Sequence, residues 1–456
     1  MMSCKEIRHF KGVDKMKIAS VFRTISFLVV AVFVIENNVL AQEVLHFDDA
    51  LKLALEHNYD IKVASNGIET AANNASVLNS GYLPSANVAA NGNLTYAAGD
   101  NETVVGKQSF KATEAYNYNA SVGISYTLFD GLGRLYNFKQ MKEKHNLSKL
   151  QAQQVIENTM LQLASVYYQI SQFTEVAGIL QQSIVISKER KLRAEYKKKY
   201  GQATELNVLN AQVDVNNDSI NLLNTLQQLD NAKRNLSLIM GRGFDSDFAV
   251  DTTVRFALDF PSDELVRKAL DRNVLIQQTN SSLQSSEYAI KASRSGWFPA
   301  VTANAAYAYS GSENPNGAFL TGNQSYGPQA GLSLTWKLFD GGRTITQQKN
   351  AKIALETQKI RQEQTALTVQ RDVLNAYATY QNALFVLDAQ NDNLVTAKRN
   401  FNRSDELYKQ GQISSIDFRT AQLNMLNAQS SCSQAKYNAK NAELQVKQLT
   451  GMLLNE

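Results

Sequence analysis

The side chains that could carry chemistry are few and scattered. After residue 41 the chain offers three histidines (His46, His57 and His145) and one cysteine, Cys432. None of them falls in a metal-ligand spacing motif. The sequence contains no nucleophile elbow, phosphate-cradling glycine loop or dinucleotide fingerprint. The carboxylates that stand out are Asp130 and Asp340, each within a Leu-Phe-Asp-Gly sequence. Asp-Gly directly after a strand is turn chemistry, so these mark chain reversals rather than an acid–base pair. The residues therefore point away from an enzyme and imply no cofactor and no metal. A basic run (Arg190, Lys191, Arg193, Lys197, Lys198, Lys199) is read as cations meeting the negative end of a helix dipole, with partner or lipid docking as the alternative.

Composition narrows the class. The 456 residues are 44% apolar and 19% charged with only 5 prolines, which excludes a disordered, collagen-like or disulfide-stapled chain. Formal charge is +4, but residues 1–41 hold six Lys/Arg against three acids. Removing that +3 leaves about +1, too little to support a nucleic-acid binder. Lys17 and Arg23 precede an apolar run at 27–35, and Val39-Leu40-Ala41 follows it. That order reads as a secretory signal over 1–41, cut before Gln42, with Met16 as a possible true start. A membrane anchor is the alternative. Gln42 is not Cys, so no lipid anchor is expected. Cys432 then has no partner for a disulfide and is expected to be a small buried residue on a helix.

The chain is written twice. Ala54-Leu55-Glu56-His57-Asn58 returns as Ala269-Leu270-Asp271-Arg272-Asn273, and Gly81-Tyr82-Leu83-Pro84 as Gly296-Trp297-Phe298-Pro299, both offset by 215. Leu128-Phe129-Asp130-Gly131 returns as Leu338-Phe339-Asp340-Gly341, Gly201-Gln202 as Gly411-Gln412, and Gly241 as Gly451, all offset by 210. Ordered anchors of this kind imply two copies of one supersecondary unit. The expected organisation is repeat 1 at 42–241, a linker at 242–261 and repeat 2 at 262–456.

Residues 343–410 contain neither Gly nor Pro, and 134–200 contain only Gly178. Apolar residues step by four and three (Ile156, Met160, Leu163, Tyr167, Ile170), the pattern of long coiled-coil-like helices. At 1.5 Å per residue each spans about 100 Å. Shorter helices at 47–80, 202–240, 263–295 and 412–450 are expected to stack beside them. Between helices the period becomes 2. Val88, Tyr118, Val122, Ile124, Tyr307 and Leu332 fall on one face, and Asn87, Asn91, Asn119, Ser125, Asn304 and Ser333 on the other. Four such strands read as transmembrane, with outward loops at 97–111 and 311–327, Lys337 facing the lumen, and Tyr126, Trp297 and Trp336 at the interface. A soluble half-buried sheet is the alternative. Four strands cannot close a barrel, and a bilayer forbids open edges, so several chains must pool their strands. The fold class is thus a mixed α/β membrane protein: a long helical barrel joined to a β-barrel with four strands per protomer.

The duplicated plan resembles the TolC-like outer-membrane efflux factors. The marks are the two Leu-Phe-Asp-Gly strand exits followed by Arg134 and Arg343, the Gly-x-x-Pro sequences before the strands, and Asn58/Ile61 with Asn273/Ile276. The resemblance implies a homotrimer with a twelve-stranded barrel in outer-membrane lipid and a long periplasmic tunnel. It also implies a periplasmic adaptor and an inner-membrane pump or secretion ATPase as partners, in a double-membraned bacterium. It further implies that the helix-to-helix turns at Gly201, Gln202, Gly411 and Gln412 dock the adaptor. Tyr408 and Asp417 match positions that constrict the closed pore. Asn207 stands where a second Asp is usual and Ile413 where an Arg is, so Glu205 is a substitute charge. The function expected is a passive conduit exporting small molecules or proteins. A structural or adhesive coiled-coil protein anchored in the outer membrane is the alternative.

Overall fold

A computed structural model describes residues 44–104, 106–244, 248–314 and 321–454, so the export signal expected at 1–41 lies outside the described residues. In chain order the elements are β1 (Val44–Leu45), α1 (Phe47–His57), α2 (Tyr59–Asn74), β2 (Ser85–Thr103), β3 (Gly106–Phe129), α3 (Gly133–Lys199) and α4 (Glu205–Ile239). The second half follows with β4 (Ala249–Val250), α5 (Ser262–Arg272), α6 (Val274–Ser293), β5 (Ala300–Glu313), β6 (Gly322–Thr335), α7 (Arg343–Lys409) and α8 (Ser415–Leu449).

Freedom from breakers produces the long helices. α3 and α7 run 67 residues each, and α4 and α8 run 35 each. The two Leu-Phe-Asp-Gly aspartates start the long pair. Asp130 Oδ2 accepts the Arg134 N–H at 2.8 Å and Asp340 Oδ2 the Thr344 N–H at 2.9 Å. Each carboxylate thus takes a donor that the first turn leaves unpaired.

The helix expected over 47–80 is two helices, and so is its counterpart over 263–295. Asn58 breaks the first with an extended ψ of 134°, and its Oδ1 accepts the N–H groups of Asp60 and Ile61. Its Nδ2 reaches across 181 positions to donate to the Ile239 carbonyl at 2.8 Å. Asn273 repeats the arrangement, capping α6 and donating to the Leu449 carbonyl at 2.8 Å. One short amide therefore starts a helix and satisfies the end of another, which a continuous helix cannot do.

The main core lies midway along α3, where Leu163, Tyr167, Tyr168 and Ile170 meet Ala50 and Ala54 of α1, Leu236 and Met240 at the end of α4, and Phe248 and Val250. Phe248 and Val250, in the stretch expected to be a linker, are therefore packed into the core. Tyr167 Oη donates to the Leu45 carbonyl at 2.8 Å and accepts the Asp251 N–H at 3.1 Å, which pins the parallel β1–β4 pair onto α3. Burial pushes the Tyr167 hydroxyl up to about 12, so it stays a neutral donor. A second core joins Leu265 and Ala269 of α5 to Val369, Val373 and Tyr380 of α7 and Val446 of α8.

The other strands form one antiparallel sheet in the order β2-β3-β5-β6. Its register puts uncharged side chains on one face: Asn91 Nδ2 donates to Asn119 Oδ1 at 3.1 Å and Ser125 Oγ to Asn304 Oδ1 at 2.8 Å. The other face carries Val88, Val122, Tyr307 and Leu332, all more than half exposed, and Tyr118 stacks on Tyr309. The strands differ from the expected limits. β2 and β3 continue to Thr103 and Gly106, so most of the loop expected at 97–111 is strand. β6 stops at Thr335, which leaves Lys337 off the sheet and not on a lumen-facing strand position. Beyond it the Trp336 indole N–H donates to the Trp297 carbonyl at 3.2 Å. No described helix is long and apolar enough to cross a membrane.

Candidate functional site

The ends of the long helices opposite the sheet are the two turns α3–α4 and α7–α8. Gly201 (φ 72°) and Gly411 (φ 77°) close them in the left-handed region. In the first, the Gly201 N–H donates to the Lys198 carbonyl and the Gln202 N–H to Lys197. In the second, Gly411 donates to Tyr408 and Gln412 to Leu407. These are paired C-terminal caps that only a residue tolerant of positive φ completes cheaply. A Cβ built on either glycine meets nothing within 4 Å, so both tips face open space.

The residues expected to constrict a pore separate. Tyr408 is only 6% exposed; its ring stacks on Phe418 at 4.7 Å, with the Lys197 ammonium 5.4 Å above it. It joins α7 to α8 inside the protomer. Its direction follows from packing between two helices, which a sequence match to a pore position does not specify. Asp417 is exposed, and its carboxylate accepts the Ser414 N–H and Oγ–H at 3.2 and 2.7 Å while the Asp417 N–H donates to Ser414 Oγ. That reciprocal capping box fixes it at the first turn of α8. Glu205, exposed at the start of α4, pairs with Lys198, so its charge is largely offset. Asn207 is exposed and lines a cavity of about 260 Å³ with Arg190, Asp214, Ser415 and Arg419.

That cavity borders a buried charged cluster missing from the sequence reading. Arg419 of α8 grips Asp218 of α4 with both ends of its fork, Nη1–Oδ2 2.8 Å and Nη2–Oδ1 2.6 Å. Nη1 also donates to Ser187 Oγ and to Gln422 Oε1, at 3.2 and 3.1 Å. Gln422 Nε2 donates to the Ser183 carbonyl at 3.1 Å. Arg190 of α3 pairs with Asp214 of α4, and its Nη1 donates to the Ser415 carbonyl at 3.4 Å. Three helices from both halves of the chain are thus joined by two arginines and two aspartates. Arg190, expected among the dipole-facing cations, is 3% exposed and internal, whereas Lys197, Lys198 and Lys199 do occupy the last turn. A signal was present: Ser183, Ser187 and Arg190 continue the four-and-three stepping of the α3 core with polar residues, and Asp214 and Asp218 lie four apart on one helix face.

Burial pushes the Asp218 carboxyl up, but the Arg419 guanidinium and the Ser187 and Ser183 hydroxyls more than offset this, and it lies below its ordinary value of 3.8. A depressed acid contributes stability that is complete above its unfolded value and is lost as pH falls through the folded one. The stability lost on Asp218→Asn is therefore expected to be constant from about pH 5 to 8 and to shrink only below 3.8, read by denaturant titration of both proteins.

Cys432 is half-buried rather than buried, and its S–H donates to Asn391 Oδ1 at 3.1 Å. Among the described residues no group of three His, Cys, Asp or Glu side chains could hold a metal ion.

The sequence matches the family described as outer membrane efflux protein over residues 50–242 and 265–452. It is 22% identical over 393 residues to the probable efflux pump outer membrane protein TtgC of Pseudomonas putida, covering 83% of this chain and 77% of that one. It is 20% identical over 440 residues to the outer membrane efflux protein BepC of Brucella suis, covering 95% and 92%. Among solved structures, the fold superposes on the Campylobacter jejuni CmeC outer membrane channel with a TM-score of 0.76 at 16% identity, covering 89% of this chain and 86% of that one.

Proposed function

This chain belongs to the outer membrane efflux protein family, and from that premise we propose that it works as a homotrimer whose pooled strands close a twelve-stranded barrel. The protein is an outer-membrane efflux channel, a passive conduit and not an enzyme. The single observation that carries the trimer is the four-stranded sheet with both edges, β2 and β6, unpaired among the described residues. In lipid such edges must be satisfied, and four strands alone cannot close. The apolar face meets the lipid and the Asn/Ser/Gly face keeps the lumen wet. Exposed Ile353, Ile360, Leu367 and Leu374 recur every seven residues along α7, the spacing of a seam for another helix, here a neighbouring copy.

The remaining parts follow from the same reading. Residues 42–241 and 262–456 are two copies of one unit joined by 242–261, supported by the equal helix lengths and the matching caps, and 1–41 is an export signal. Helices α3, α4, α7 and α8 extend into the periplasm, where Gly201, Gln202, Gly411 and Gln412 dock an adaptor that connects to an inner-membrane pump. Exposed Asp417 and Asn207 line the constriction, a ring of each under threefold symmetry. Tyr408 holds α7 to α8 behind them, and Glu205 is neutralised by Lys198. The Arg190–Asp214 and Arg419–Asp218 pairs hold the helix ends together in the closed tip. The cargo is small organic molecules, a reading supported by 22% identity to a protein of Pseudomonas putida named as the outer membrane protein of a toluene efflux pump.

The test is the mass of particles extracted from outer membranes in mild detergent, together with export by chains lacking 200–203 or 410–413. Three chains per particle, and tip deletions that abolish export without changing that mass, are expected. A monomer, or undiminished export by both deletions, overturns the reading.

A further inference from the structure

The two hairpins obey one rule of register. Shifting β2 by 215 positions and β3 by 210, the offsets of the sequence anchors, maps Ser85↔Ser125 onto Ala300↔Thr335 and Asn93↔Asn117 onto Ala308↔Gly327, both of which are observed pairs of β5 and β6. The halves are therefore equivalent strand by strand. One junction has no equivalent inside the chain. β3 of the first half pairs with β5 of the second, but among the described residues β6 has no following strand beside it.

The turns below the sheet show the same asymmetry. At the first strand exit, a Cβ on Gly131 would lie 2.8 Å from the Phe298 Cβ and the Ser295 carbonyl, so residues 295–298 fill the space beside it. At the second exit, a Cβ on Gly341 or Gly342 meets nothing within 4 Å. The counterparts of Ser295 and Phe298 are Ser80 and Leu83, and Leu83 is half exposed. The open space at Gly341 has the shape of a contact made elsewhere in the same molecule.

We infer that β6 pairs with β2 of the partner subunit in the register Thr335 to Ala89 of the partner subunit, Ser333 to Asn91 of the partner subunit and Gly331 to Asn93 of the partner subunit, while Leu83 of the partner subunit fills the space beside Gly341. These pairs are the images of Ser125↔Asn304, Gly123↔Ala306 and Ser121↔Ala308 under the two offsets. The assignment rests on the trimer proposed above and adds its residue pairing. All three images join polar face to polar face, as the shared alternation of the two hairpins requires. A slip of one residue would turn the apolar side chains of one copy toward the lumen. A slip of two keeps the faces but moves the partner strand by nearly 7 Å, which withdraws its residues 80–83 from Gly341. Pro328, which has no N–H to give, falls at the outer end of this ladder, opposite Tyr96 of the partner subunit.

Paired cysteines read the register directly. Within one chain, positions 91 and 333 lie on opposite edges of the sheet, three strand spacings or about 14 Å apart, too far for a disulfide. Full-length chains carrying Cys432→Ser and either Asn91→Cys/Ser333→Cys, Asn93→Cys/Ser333→Cys or Ala89→Cys/Ser333→Cys are oxidised mildly in outer-membrane fractions and run without reductant. Reductant-sensitive dimers and trimers are expected from the first pair and not from the two shifted pairs. Stronger cross-linking by a shifted pair, or none by any pair in particles whose mass is three chains, overturns the register while leaving the trimer intact. A one-chain mass overturns the trimer and this pairing with it.

Discussion

Arg419→Ala channels are expected to leak. Among the described residues the guanidinium is the only cation paired with Asp218, which is 1% exposed. Removing one member of a buried pair leaves the other charge in a medium that cannot solvate it, at a cost of about 3–5 kcal/mol. The hydroxyls of Ser187 and Ser183, at 2.6 and 3.4 Å, carry no charge to oppose it. Gln422 also loses its acceptor role toward Arg419, so α8 loosens from α3 and α4 together. That cost falls on the C-terminal part of α3 and the N-terminal parts of α4 and α8, near the tip and not on the mid-length cores, so the tips separate while the trimer persists. Single-channel conductance in planar bilayers is expected to rise, and limited proteolysis is expected to cut near 200 and 411 sooner than in wild type. Arg419→Lys keeps the charge but not the fork and falls between. Arg419→Met with Asp218→Leu removes both charges and is expected to recover much of the closure. An Arg419→Ala channel with wild-type conductance and cleavage would show that the cluster does not hold the tip.

The second large effect is at Gly241. Its φ of 66° already disfavours any side chain, by about 1–2 kcal/mol. A Cβ there would sit 2.4 Å from the His57 carbonyl oxygen and 2.8 Å from its carbon, which are backbone atoms with no rotamer to change. Relief requires moving the α1–α2 junction away from the end of α4, which breaks the Asn58–Ile239 hydrogen bond. Overpacking and the lost bond bring the total for Gly241→Ala to about 3 kcal/mol or more. Gly201→Ala is the matched control: φ is 72°, but the space beside it is open, so only the left-handed cost of about 1–2 kcal/mol applies. The amount of each variant reaching the outer membrane, and the temperature at which its oligomer dissociates on a gel, should separate the two clearly. Equal losses would show that the contact with His57 is not what fixes glycine at 241.

The sequence by itself determined the features that depend on near neighbours. Helix length follows from the absence of Gly and Pro over 343–410, the strand faces from a period of two, and the tips from Gly201 and Gly411. Strand ends did not follow: β2 and β3 extend to Thr103 and Gly106 because their backbones pair with each other up to Thr103↔Gly106, whatever the loop-like composition of 97–111. The break at Asn58 has the same origin, since its amide gains a carbonyl 181 residues away. Tertiary structure alone decided the side chains at the tips. Tyr408 turns inward because Phe418 offers its ring, and Arg190 is a core residue because Asp214 stands opposite. Arg419 and Asp218 are 201 positions apart, and each looks like an ordinary charge on a solvated helix until the halves are packed. Periodicity records which face of a helix is covered; it carries no record of which distant side chain covers it, and buried charge is tolerated only where that partner is present.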